Sequence, residues 1–360
     1  MADISVKIFD MELENPVMPA AGPTVKDGQA AHEAKEGGAG AIVTKTISVE
    51  AADVPRPNMA QTKSGFMNSE LWSELSPKQW LEKEYPEVVK TELPVIAGIG
   101  YSADEIKKLA KQVEPFADAL ELSTHYLGDD TSPVVESIKA AKSVVDIPVM
   151  VKLSPQVDIT TFAEAAEEAG ADGIVLINSF GPTLDIDLKT GKPLMGSEDG
   201  YGWLSGEAIF SLALRCVYQA VAAVDIPVIA VGGISSGEDA VKMIMAGAEA
   251  VQVCTEAIIN GAHVYGRIAE EIDKYLEKNG YSNLEEIRGL AQNNSPEEAN
   301  FKTIPPTVDE EACIGCGICV KSCVYNAIEI NGDNIAVIDQ DSCEGCGLCI
   351  TRCDFDALRL

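Results

Sequence analysis

The sequence predicts an α/β protein in two parts, a (β/α)8 TIM barrel followed by a small, cysteine-rich α+β module. Three observations carry this reading. Eight short apolar runs alternate with amphipathic helical stretches over the first 275 residues. Eight of the ten cysteines fall in the last 48 residues. Between them, residues 279–306 lose strand periodicity and end in Pro305-Pro306, as a linker does. The expected division is barrel 1–278, linker 279–306 and module 307–360.

The apolar runs, in order, are PVMPAAG (16–22), AIVTKT (41–46), PVIAGIG (94–100), ALELST (119–124), PVMVKLS (148–154), GIVLINS (173–179), PVIAVGG (227–233) and AVQVCTE (250–256). Continuous apolarity rich in β-branched residues marks strands buried on both faces, and intervening patterns such as SADEIKKLAKQV supply helices to cover them. Closing the sheet removes its edges, which favours a barrel. A doubly wound open sheet is the alternative, but no G-x-G-x-x-G follows the first strand.

Composition narrows the function classes. With 57 acidic against 27 basic side chains, the net charge is −30. Such a field repels phosphate backbones and anionic headgroups, so neither nucleic acid nor a membrane surface is an expected partner. No apolar run reaches the ~18–20 residues of a membrane helix, and MADISVKIFDMELENP lacks the regions of a signal peptide, so a cytoplasmic protein is expected. Thiols there stay reduced, which argues against a disulfide framework.

The cysteines form two quartets, Cys313, Cys316, Cys319, Cys323 and Cys343, Cys346, Cys349, Cys353, each spaced C-x2-C-x2-C-x3-C. In that spacing three thiolates on a loop grip one cubane and the fourth reaches the other cluster. Cys313, Cys316, Cys319 and Cys353 are therefore expected to hold one [4Fe–4S] cluster, and Cys343, Cys346, Cys349 and Cys323 a second. The pattern recurs after 30 residues as an internal repeat. Zinc would need its ligands in two pairs, which the x3-spaced cysteine does not fit. The module resembles bacterial two-cluster ferredoxins along its whole length, except that Val324 and Asp354 replace the usual proline after the fourth cysteine.

Barrel enzymes carry their chemistry at the C-terminal ends of the strands. Here those ends are polar, with Lys45 and Thr46, Glu121 to His125, Lys152, Asn178 and Ser179, Gly232 and Gly233, and Cys254 and Thr255. Two lysines and an asparagine suit a flavin ring, where a cation stabilises the anionic reduced form; a structural ion pair is the alternative. The glycines of VGGIS and the start of VQVCT lie where this fold binds phosphate.

Residues 15–275 resemble the FMN-binding barrel of dihydroorotate dehydrogenases, and more closely the pyrimidine-site half of dihydropyrimidine dehydrogenases. The resemblance runs through NPVMPAAGP, VTKTIS, GFMNSELWSE, ALELST, VKLSP, INS, GWLSGEAIFSLALRCV, VGGIS and VQVCT. With the adjoining module, the order of parts is that of the iron–sulfur subunit of bacterial dihydropyrimidine dehydrogenases. The resemblance implies that Ala20, Ala21, Lys45, Thr46, Lys152 and Asn178 surround the isoalloxazine, and that Ser205, Gly206, Gly232, Gly233, Cys254 and Thr255 hold the phosphate. Asn68, Glu70, Asn178 and Ser179 would contact a small-molecule substrate. It further implies an oligomeric enzyme that exchanges electrons with an NAD(P)H-oxidising flavoprotein subunit or a ferredoxin.

At the fourth strand the family pattern N-L-S-C-P is matched by Glu121, Leu122, Ser123, Thr124 and His125, so the substrate-gripping asparagine and the proton-exchanging cysteine are both absent. A threonine hydroxyl is a poor acid or base near neutral pH, whereas an imidazole titrates in the right range. His125 is the expected proton donor, with a structural role in the loop as the alternative; Thr124 and Glu121 are the other candidates. Glu121 beside Glu70 is expected to favour a cationic or N–H-rich ligand. The expected reaction is hydride transfer between FMN and a carbon–carbon double bond conjugated to a carbonyl, with a proton from the strand-4 loop. A true dihydropyrimidine or dihydroorotate dehydrogenase with a non-standard acid, or an electron-transfer subunit with a scaffold barrel, are the alternatives. The segment 180–206 is expected either to fold over the flavin edge or to form a surface hairpin.

Overall fold

Each of the eight apolar runs forms a parallel strand: β1 Val17–Pro19, β2 Ile42–Val43, β3 Val95–Ile99, β4 Ala119–Ser123, β5 Val149–Leu153, β6 Gly173–Leu176, β7 Val228–Val231 and β8 Ala250–Val253. The computed structural model describes residues 2–296 and 298–360. It pairs the strands in the order β1-β8-β7-β6-β5-β4-β3-β2. The two ends meet where the Gly40 N–H donates to the Val17 carbonyl at 2.8 Å, so the sheet comes close to full closure. All five residues of β3, β4 and β5 are buried, as strands covered on both faces must be.

The helices outside the barrel follow from local signals. Ala103–Val113 starts at a capping box in which the Ser102 N–H and hydroxyl both donate to the Glu105 carboxylate, at 2.9 and 2.8 Å. Such a cap contributes ~1 kcal/mol. The helix buries Ile106, Leu109, Ala110 and Val113, an i, i+3, i+4, i+7 stripe against the barrel. Gly237–Met245 starts with the same device, built from Ser236 and Asp239.

Over the strand ends lies a four-stranded antiparallel sheet whose strands are, in spatial order, Phe180–Thr183, Gly202–Ser205, Phe66–Asn68 and Met59–Gln61. Its register sets Trp203 beside Asn68 and Ser205 beside Phe66. The segment 180–206 is thus a hairpin, and its return strand carries side chains to the mouth of the barrel.

The barrel unit runs to Ser295. Residues 279–295, which the sequence assigns to the linker, add short helical turns whose Leu284 and Ile287 are buried in the barrel core. The Gln292 amide donates to the Tyr218 carbonyl at 2.7 Å.

The second unit begins at Pro296 and shows its sequence repeat as a structural repeat. Thr307–Val308 pairs with Leu358–Arg359, and Ile328–Ile330 with Ala336–Ile338. The Cys313 N–H donates to the Asp309 carbonyl at 3.0 Å, and Cys343 to Asp339 at 3.0 Å. Gly315 and Gly317 (φ 67° and 71°) correspond to Gly345 and Gly347 (φ 66° and 77°), so both cysteine loops turn through left-handed glycines. Among the described residues, no helix is long and apolar enough to cross a membrane.

Candidate functional site

A cavity of about 350 Å³ opens at the C-terminal ends of the strands, within the size range of small-molecule and cofactor sites. All twelve residues expected around a flavin line it: Ala20, Ala21, Lys45, Thr46, Lys152, Asn178, Ser205, Gly206, Gly232, Gly233, Cys254 and Thr255. So do Asn68, Glu70, Ser179 and His125.

Both lysines are buried and paired. Lys45 Nζ lies 2.7 Å from Glu70 Oε2, and the other Glu70 oxygen accepts from the Asn58 amide. Lys152 Nζ lies 3.4 Å from Glu121 Oε1 and 3.4 Å from Gln252 Oε1. Glu121 also accepts a 2.6 Å hydrogen bond from Gln252 Nε2, and neither side chain reaches solvent.

Two of the expected residues lie away from the cavity lining. Glu121 does not line the cavity, because it lies two residues below the strand end and its carboxylate is turned to Lys152 and Gln252. Thr124 is buried and does not line the cavity either, since alternate strand residues face opposite ways. Ser123 and His125 present themselves to the ligand instead. Glu70 and Glu121 are each matched by a lysine, so the surplus of negative charge that would select a cation is absent.

At the β7 and β8 ends the lining is neutral and donor-rich. Gly232 and Gly233 follow β7 with φ 129° and 75°. The hydroxyls of Ser205 and Thr255 stand 2.9 Å apart. Backbone N–H groups and hydroxyls at this end suit a phosphate, and the two ammonium groups across the cavity suit the electron-rich end of a flavin ring, so the residues present fit FMN. Burial pushes the Cys254 thiol up, which disfavours the thiolate at this point of the cavity wall.

The remaining wall is aromatic. The His125 imidazole packs edge-on against Trp203, with ring centroids 4.3 Å apart, and its backbone is left-handed at φ 50°. Burial holds its pKa below the ordinary histidine value, so the ring is neutral at neutral pH. Trp72, packed edge-on to Tyr101 at 4.8 Å, is a further lining residue. Sequence reasoning missed Ser123, Gln252, Trp72 and Trp203. Two-residue alternation back from Cys254 and His125 points to Gln252 and Ser123; the tryptophans carry no such signal.

In the second unit Cys313, Cys316, Cys319 and Cys353 line one small cavity together with Ile330, Ala336 and Leu358. The fourth cysteine of the second repeat thus joins the first three of the first. In the other half, burial and then the neighbouring Cys346 and Cys343 push the Cys349 thiol up. Backbone N–H groups of Ala336, Ala327 and Ala357 donate to Cys313, Cys323 and Cys353 sulfurs at 3.3–3.4 Å, the kind of contact that tunes cluster potentials.

A barrel that gathers paired lysines and a glycine- and hydroxyl-lined cradle, on one chain with a doubled cysteine motif, has the build of an iron–sulfur oxidoreductase. The chain belongs to the dihydroorotate dehydrogenase family, whose model matches residues 3–276, and residues 306–360 match the 4Fe-4S dicluster domain. It is an oxidoreductase of the type that acts on CH–CH groups. Among its relatives, the catalytic subunit of dihydroorotate dehydrogenase B (NAD(+)) from Methanothermobacter thermautotrophicus is 36% identical, covering 80% of this chain and 98% of the relative. The protein of the same name from Methanosarcina mazei is 39% identical over 78% of this chain and 93% of its own length. The one from Pyrococcus furiosus is 36% identical over 80% and 99%. These relatives are covered almost end to end, while about a fifth of the present chain lies outside each match.

Proposed function

We propose that the protein is an FMN-dependent enzyme that exchanges hydride with a carbon–carbon double bond conjugated to a carbonyl, with electrons passing through two [4Fe–4S] clusters in residues 307–360. The observation that carries this is the convergence of Lys45, Lys152, Asn178, His125 and the Gly232-Gly233 cradle on one cavity. FMN bound there supplies hydride at N5 and links two-electron chemistry to one-electron carriers.

The protein's own groups do the rest. Lys45 and Lys152 balance the charge of a reduced ring. Asn68, Asn178 and Ser179 orient and polarise the substrate carbonyl. His125 handles the proton at the carbon next to the one that exchanges hydride. As a neutral imidazole it is ready to accept that proton in the oxidising direction, and a buried imidazolium returns it readily in the reducing direction.

With each carboxylate of the site matched by a lysine, an uncharged conjugated carbonyl compound is the ligand the charge balance favours. Orotate itself is the second reading, supported by the names of the relatives. Those names, catalytic subunit and NAD(+), also support a partner subunit that exchanges electrons with a nicotinamide nucleotide. The cluster module, with ten acidic and three basic residues over 307–360, suits a basic docking face on that partner.

The test is anaerobic mixing of the reduced protein with orotate, uracil and a panel of enones, followed by flavin absorbance. Compounds with a conjugated carbonyl should reoxidise the flavin, uncharged ones fastest, and His125→Ala should slow this half-reaction by ~100-fold or more. If nothing in the panel oxidises the flavin, the barrel is a scaffold; if His125→Ala is as fast as the parent, the proton comes from elsewhere.

A further inference from the structure

We infer that Glu121 and Gln252 are positioning residues that act through Lys152, fixing its ammonium at the wall of the cavity that would hold FMN and thereby setting how strongly the site prefers reduced over oxidised FMN. This rests on the FMN reading above.

The three side chains come from three strands, Glu121 from β4, Lys152 from β5 and Gln252 from β8, and all three are buried. They close a ring of hydrogen bonds. Lys152 Nζ donates to Glu121 Oε1 and to Gln252 Oε1, each at 3.4 Å, and Gln252 Nε2 donates to Glu121 Oε2 at 2.6 Å. The short bond between the two acceptors ties them into one rigid receptor, and it fixes which end of the amide meets the lysine. An ammonium has three donors. Two are spent below, which leaves one N–H for the cavity that Lys152 and Gln252 line.

Stability does not account for the arrangement. A carboxylate, an ammonium and an amide inside a barrel lose their hydration, and apolar residues of similar volume generally serve a core as well or better. What the ring does supply is an ammonium held in one place by two acceptors. Side chains rooted in strands hold that position more closely than loop residues would. Lys45, by contrast, is matched at 2.7 Å by Glu70, a residue from the overlying segment.

Holoprotein variants test this through flavin potential and FMN dissociation constants, measured anaerobically against reference dyes. Gln252→Leu keeps both charges and removes only the second acceptor. It should lower the ratio of affinities for reduced and oxidised FMN about tenfold, roughly 30 mV for a two-electron couple. Glu121→Gln, which removes a negative charge as well as an anchor, should shift the ratio too. If both act through Lys152, the double variant E121Q/K152M, which removes the pair together and leaves no lone buried charge, should match K152M with no further loss. Unchanged ratios in the single variants, or a double variant that falls by the sum of its parts, would overturn the inference. Should Glu121→Gln not fold, Gln252→Leu and the double variant still decide it. A parent protein that retains no flavin would instead sink the FMN reading before any variant is compared.

Discussion

His125 combines a left-handed backbone, an edge-on tryptophan and a pKa held down by burial. The unfolded chain therefore binds a proton that the folded protein resists. Between the lowered folded value and the ordinary ~6.5, stability rises with pH, is fully present above the unfolded value, and is lost as pH falls. Melting temperatures of the parent should drop on acidification through that window, and His125→Gln should flatten the drop; parallel curves would show that the imidazole stays accessible to protons. The same residue marks how far the site was legible. Lysines, glycines and His125 at strand ends stood out because charge and backbone freedom are unusual in buried apolar runs. Thr124 lies off the cavity because side-chain alternation turns it away from Ser123 and His125, and Glu121, in phase with them, lies off it because it sits deeper in the strand. Trp203 was not legible at all, since it reaches the cavity from a hairpin with no periodic signal of its own.

At the scale of elements, all eight strands were legible because burial on both faces leaves an uninterrupted apolar run. The additions that build the cavity roof were not, being short, half-polar strands from separate parts of the chain. The loop after β7 shows how tightly element and site are joined. Gly233 has φ 75°, and a Cβ there would lie 2.6 Å from Phe210 Cα and 2.7 Å from Phe210 N, backbone atoms at the start of the helix Phe210–Ala223. Gly233→Ala must strain its own backbone, at ~1–2 kcal/mol, and push that helix as well. It should lower the melting temperature and release FMN, read as flavin fluorescence in the filtrate after ultrafiltration. Full flavin content in Gly233→Ala would place the phosphate elsewhere.

For the whole molecule, the two units differ greatly in what holds them. The barrel has a large continuous apolar core, whereas the buried core of the second unit consists of Cys319, Ile328, Ala336, Cys349 and Leu358. Two of those five are expected cluster ligands, so bound metal is expected to supply much of that unit's stability. Treatment with an iron chelator under oxidising conditions should abolish the module's cooperative transition in calorimetry and leave the barrel's in place. A module transition that survives full loss of iron would mean that its apolar contacts suffice.

The exchange of the fourth cysteine between repeats also has a consequence for biosynthesis. With Cys353 as its expected fourth ligand, the Cys313 site is the first to be started as the chain is made and is closed only once Cys353 has been added. A ribosome that stalls anywhere between Cys319 and Cys353 leaves a three-thiol half-site, and translation has to pass the second repeat before the first can receive its full complement of iron.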